Sequence, residues 1–210
     1  LPFVLIMFFL SRWSGGLAER YGAKLPLVIG PVIAAFGFAL FAVPGVGGSY
    51  WATFFPAVVV LGLGMAVSVA PLTTTVMGSV SESRAGVASG INNAVSRTAG
   101  LLGIACFGIL MLQVFSSGVD RRLRALDLPP GAQRVLDVQR TSLAGAEMPP
   151  GLDSETQSAL EQVIADSFVS GFRLCMMVAA ALALLSALSA AFMIRGKVTA
   201  RSAAQAVAPA

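Results

Sequence analysis

Ser89, Asn93, Ser96, Arg97 and Gly100 recur at helical intervals through a stretch that is otherwise apolar, with Asn92 beside them. Hydroxyls, carboxamides and a guanidinium exchange hydrogen bonds and hold a charge, but they make no nucleophile and base pair. The chemistry open to this stripe is non-covalent recognition. A second set lies upstream, where Met65, Ser68, Leu72 and Thr75 share a helical face and Pro71 removes an internal backbone hydrogen bond. A mixed apolar and hydroxyl wall suits a greasy or amphiphilic molecule. The same two hydroxyls can instead bond backbone carbonyls or neighbouring helices.

Residue types exclude most bond-making chemistry. With no histidine in the chain, Ser-His-Asp and Cys-His catalysis and histidine metal sites are impossible within it. Cys106 and Cys175 each lie alone in an apolar stretch, so neither a disulfide framework nor a CxxC redox or zinc site is expected. No GxxxxGK[ST] phosphate loop occurs. The chain is therefore expected to hold no metal and no cofactor and to be no enzyme.

The elements that carry these residues follow from composition. Of 210 residues, 56% are hydrophobic and 11% charged, against about a quarter charged in soluble domains. Five apolar segments emerge, at 1–11, about 25–46, 51–78, 87–115 and 168–194, and about 20 residues suffice to cross a hydrocarbon core of about 30 Å. Lipid leaves backbone groups no partner but their own helix, so an all-α membrane bundle with about five transmembrane helices is expected. The first run opens the chain without a basic flank or a cleavage site, which reads as a truncated helix rather than a signal peptide. The expected partners are accordingly the lipid bilayer and a missing N-terminal helical half.

Charge sets the expected orientation. Arg12, Arg20 and Lys24 flank one short connection, Arg84 lies in the next on the same side, and Arg195, Lys197 and Arg201 begin the tail. That side is expected to be cytoplasmic, which accounts for the net charge of +4 without nucleic acid. The domain plan is helices over 1–115 with a cytoplasmic loop at 12–24, an external loop at 116–167, a final span at 168–194 and a cytoplasmic tail at 195–210. In the external loop, Pro129-Pro130-Gly131 and Pro149-Pro150-Gly151 act as breakers. Asp153 or Ser154 then caps a helix whose Leu160, Val163, Ile164 and Phe168 share one face. Arg173 opens the final span, where it can snorkel as an anchor.

The connection Gly15-Gly16-Leu17-Ala18-Glu19-Arg20-Tyr21-Gly22-Ala23-Lys24 resembles the loop signature G-x-L-a-D-r-x-G-r-k of the major facilitator superfamily, in its C-terminal-half copy. Its glycines let helix ends approach, its acid can meet a helix N-terminus, and its basic residues hold the interface. Glu19 stands where the family has Asp, and Ala23 replaces a basic residue. The runs GLGMAVSVAPLTTTVMG, SVSESRAG and GVASGINNAVSRTAGLLG, with a long loop before the last helix, resemble the fourteen-helix drug:proton antiporter branch.

The resemblance implies a multi-pass protein of the cell (inner) membrane that exports small hydrophobic or cationic compounds, coupled to protons, by alternating access. It makes Gly15, Leu17, Glu19, Arg20, Gly22 and Lys24 a conformational latch, and it places Met65, Ser68, Pro71 and Thr75 on a cavity wall. Asn92, Asn93 and Arg97 then lie at an interface or gate with the other helical half, or serve there as static glue. A charge deep in a span costs roughly 2.5–3.5 kcal/mol on insertion scales, so Arg97 is expected to face protein or water unless it snorkels. No acid lies inside a complete span, so a proton carrier belongs elsewhere. Alternatives are a non-transporting assembly or sensor subunit, a transporter of the same superfamily with a different substrate, and a membrane enzyme whose motif lies outside this chain.

Overall fold

A computed structural model describes residues 2–47, 49–123 and 153–194; within them, the side chains of residues 11–13, 15, 17–21 and 82 are not described. The order is α1 (Pro2–Tyr21), α2 (Lys24–Phe41), a short α3 (Tyr50–Thr53), α4 (Phe55–Gly78), a 3-10 turn at Glu82–Arg84, α5 (Ala85–Leu123) and α6 (Ser154–Met193). No strand occurs among the described residues. Four helices, α2, α4, α5 and α6, are long and apolar enough to cross a membrane. The remaining expected span corresponds to α1, whose apolar run gives way to polar residues beyond Leu10.

Three boundaries differ from the sequence expectation. The connection expected at 12–24 is helical as far as Tyr21, leaving only Gly22 and Ala23 between α1 and α2. Gly22 ends α1 in the left-handed region, at φ 81°, a conformation that a Cβ would oppose. Helix also enters both ends of the stretch expected as a loop at 116–167, because α5 continues to Leu123 and α6 begins at Ser154. Neither extension contains proline, and each buries one face. Both proline-glycine clusters and the tail at 195–210 lie outside the described residues.

The described chain forms two compact units, one of residues 1–41, 49–97 and 178–210, the other of 42–48 and 98–177. In the first, α4 packs between α1 and α2. A Cβ added at Gly37 would stand 2.7 Å from the Leu61 Cα, and one at Gly64 would stand 2.8 Å from the Ala34 Cα. Small residues thus let the α2 and α4 backbones touch, the contact that substitutes for a hydrophobic driving force in lipid. Gly62 meets Ile6 of α1, and Ala66 is buried on the same side. Tyr50, Trp51 and Phe55 form an aromatic cluster where α3 leads into α4, the kind of placement that suits a membrane interface.

In the second unit, α5 and α6 run antiparallel. Phe107 lies beside Cys175, Met111 beside Gly171, and Gly118 beside Ser167. The seam buries Phe115, Val119, Leu160 and Ile164, so two of the four residues expected on one face of α6 are core; Val163 and Phe168 are half-buried. Asp153 is the residue that starts α6, accepting the Thr156 backbone N–H at 3.0 Å. Hydrogen bonds from the Thr156 side chain and then its backbone hold the Asp153 carboxyl below its ordinary value. Arg173 donates at 3.2 Å to the carbonyls of Val43 and Pro44, which follow α2. It is a tie between α6 and that turn.

The α2–α4 contact gives a sharp expectation. Gly64→Leu inserts a side chain where backbone already stands, and overpacking costs ~1–3 kcal/mol even where side chains can yield. Heat challenge of the purified protein followed by size exclusion is expected to show a clear loss of monodisperse material. Gly78→Ala, with nothing within 4 Å of the added carbon, is expected to match wild type. Equal survival of Gly64→Leu would mean that α2 and α4 do not pack as described.

Candidate functional site

The polar residues of α5 lie on two different faces. At 3.6 residues per turn, Ser89, Asn93, Ser96 and Arg97 fall within roughly 100° of one another, and Val87, Ile91 and Val95 fall on roughly the opposite side. Asn93 and Arg97 are exposed, and a Cβ at Gly86 or Gly90 on their side would meet nothing within 4 Å. No described residue hydrogen-bonds or ion-pairs with the Arg97 guanidinium. Asn92 is not with them. It is half-buried and lines a recess of about 620 Å³ at the α4–α5 turn.

That recess is walled by Val76 and Val80 from the end of α4 and the turn, and by Val87, Ala88, Ile91 and Val95 of α5. Its polar lining is Ser79, Arg84 and Asn92, of which Ser79 already donates to the Val76 carbonyl at 2.8 Å. Sequence reasoning missed this recess. The i, i+4 spacing of Val87, Ile91 and Val95 was the available signal, and it reads equally as an ordinary lipid-facing stripe.

The four residues expected on a cavity wall of α4 do not line the recess. Ser68 donates to the Gly64 carbonyl at 2.7 Å and packs beside Gly30 of α2, so its hydroxyl is spent within the helix pair. Thr75 donates to the Pro71 carbonyl at 2.6 Å, Pro71 is buried, and Met65 is half-buried. Pro71 has no N–H to give, and hydroxyls bonding back one turn, from Thr73 and Thr74 as well as Thr75, surround the weakened ladder.

Of the expected latch, Gly15, Leu17, Glu19 and Arg20 are placed by backbone on the last turns of α1, and their side chains lie outside the description. Gly22 is the helix terminator, and half-buried Lys24 is the first residue of α2. About two turns before Gly22, Ser14 is buried, and its hydroxyl has no partner among the described residues. No group of three or more metal-ligating side chains occurs among the described residues.

Long apolar helices, close-packed through small residues and carrying an isolated polar stripe, define a polytopic membrane protein. The chain belongs to the Major Facilitator Superfamily, whose family model matches residues 1–114. It is 30% identical over 199 residues to the tetracenomycin C resistance and export protein of Streptomyces glaucescens, covering 91% of this chain and 36% of that protein. It is 28% identical over 141 residues to the multidrug resistance protein Stp of Mycobacterium tuberculosis, covering 65% and 25%. Similarity to the triacylglyceride transporter of Mycobacteroides abscessus is 28% over 139 residues, covering 62% and 27%. The chain thus spans between a quarter and about a third of the length of these curated relatives.

Proposed function

We propose that the chain is part of a secondary active transporter of the cell (inner) membrane that exports small molecules by alternating access. The observation that carries this reading is the stripe of Asn93 and Arg97, exposed and without a partner among the described residues, in a helix otherwise fit for lipid. A guanidinium inside a span is expensive unless protein or water faces it, so the stripe belongs at an interface or gate with the rest of the protein. Similar proteins named for drug export, drug resistance and triacylglyceride transport support a hydrophobic cargo. Exchange for protons, and carriage of cationic compounds, would need an acid. None lies within the apolar stretches of this chain, so that group belongs elsewhere in the whole protein.

Within this scheme Glu19, Arg20 and Lys24 form a latch where α1 meets α2, and the face of α4 bearing Met65 and Thr75 is part of the cargo wall. The α1–α2 connection, the α4–α5 turn and the tail face the cytoplasm, and the α5–α6 connection faces outward, because basic residues gather on the first side. The absence of histidine and of any catalytic constellation in the sequence agrees with a transporter rather than an enzyme.

Orientation is checked by an impermeant thiol reagent on intact cells, in a complete protein lacking Cys106 and Cys175. Ser117→Cys is expected to label and Ala23→Cys to be protected; the reverse pattern would invert the topology.

Function is checked by substrate flux in vesicles at matched expression. Arg97→Ala is expected to lower flux at least tenfold by stranding the partner of the guanidinium, and Arg97→Lys to be intermediate, since it keeps the charge and loses the planar fork. Glu19→Ala is expected to slow flux without loss of protein. Wild-type flux from Arg97→Ala would remove this residue from any gate.

A further inference from the structure

We infer that the recess at the α4–α5 turn seats an anionic membrane phospholipid, with its phosphate at Arg84 and an acyl chain along Val87, Ile91 and Val95. The recess lies on the side of α5 away from the polar stripe. Its three α5 side chains are 65%, 61% and 62% exposed, and the apolar row continues through Leu102 and Ile109. A row of that kind is solvated by hydrocarbon. Here it is hollowed to about 620 Å³ by Val76 and Val80, a groove rather than a flat face.

Charge supplies the headgroup. Arg84 stands at the foot of the groove, exposed, with no hydrogen bond or ion pair from any described residue. No acid is among the described residues that line the recess, and Ser79 is already bonded to its own helix end. A planar guanidinium free to make two parallel N–H···O bonds matches a phosphodiester better than it matches a choline or an amine.

Dimensions agree with one leaflet. From Arg84 to Val95 is about 16 Å at 1.5 Å per residue, close to half of the ~30 Å hydrocarbon core. An acyl chain whose phosphate is at Arg84 would therefore run along the groove to the bilayer midplane. On the orientation proposed above, this turn meets the cytoplasmic leaflet, where anionic lipids concentrate. The inference rests on membership of a membrane family, on this geometry and on the proposed orientation, and it stands whether or not the protein exports drugs.

The test is native mass spectrometry of the complete protein, titrated with phosphatidylglycerol and with phosphatidylcholine of identical chains. Wild type is expected to retain phosphatidylglycerol roughly fivefold more tightly. Arg84→Gln is expected to abolish that preference and Arg84→Lys to keep most of it. Ile91→Trp fills the groove and is expected to lower retention of both lipids, and Arg97→Gln, on the opposite face, to leave both unchanged. Each variant is read only from monodisperse protein. Equal retention of the two lipids by wild type would overturn the inference, as would a preference that survives Arg84→Gln, indifference to Ile91→Trp, or displacement of the lipid by glycerol 3-phosphate alone. Failure to retain either lipid would mean that another part of the protein fills the groove, and it would overturn the inference too.

Discussion

Backbone touching backbone where α2 meets α4 is the constraint on which the first unit depends. In lipid, a leucine gains little by leaving its neighbours for another leucine, so helices associate where small residues let many weak contacts form at once. Gly30, Ala34 and Gly37 on α2 and Gly64 on α4 provide that approach. The cost is that this surface accepts no added side chain. The opposite side of α4, with Gly62 and Ala66, receives α1, so α4 is held from two directions. Its end, and hence the turn that launches α5, is fixed by that packing.

A helix launched from a fixed point can present two unlike faces, and α5 does so. Valines and isoleucines on one side need only hydrocarbon, whereas Asn93 and Arg97 on the other need polar company that no described residue supplies. The same helix then carries its small residues into the second unit, where Gly118 admits Ser167, and Arg122 donates to the Ser167 hydroxyl at 3.0 Å. This part-buried polar contact belongs to the seam that also buries Val119 and Ile164, so the seam beyond the apolar spans is specific in register as well as apolar. Both helices, of 39 and 40 residues, are nearly twice the length that crosses a hydrocarbon core of about 30 Å.

Much of this was legible in the sequence because membranes impose simple rules. Composition and run length gave an all-helical membrane protein, and the spaced glycines with Glu19, Arg20 and Lys24 pointed to the family. Helix ends were less legible. Hydropathy marks where lipid stops, not where a helix stops, so α5 and α6 outran the expected boundaries at 115 and 168. The motif stretch reads as a loop because it is polar, although its residues through Tyr21 are compatible with a helix that Gly22 ends. Helical periodicity groups Ser68 with Met65, Leu72 and Thr75, whereas its contact with Gly30 depends on a partner helix that periodicity does not reveal. Asn92 and Asn93 are adjacent in sequence, and the step of roughly 100° between neighbours on a helix puts Asn92 in the recess and leaves Asn93 exposed outside it.

The account turns on α5 having a face for lipid and a face for protein and water. Single cysteines placed along this helix in the complete protein, in a background without Cys106 and Cys175, test that directly through their rate of reaction with a small water-soluble thiol reagent. At positions 89, 93 and 96 the account predicts fast reaction that changes when a transported compound is added; at 87, 91 and 95 it predicts slow reaction that does not change. Reaction that is uniform along the helix, or fastest at 87, 91 and 95, would contradict it.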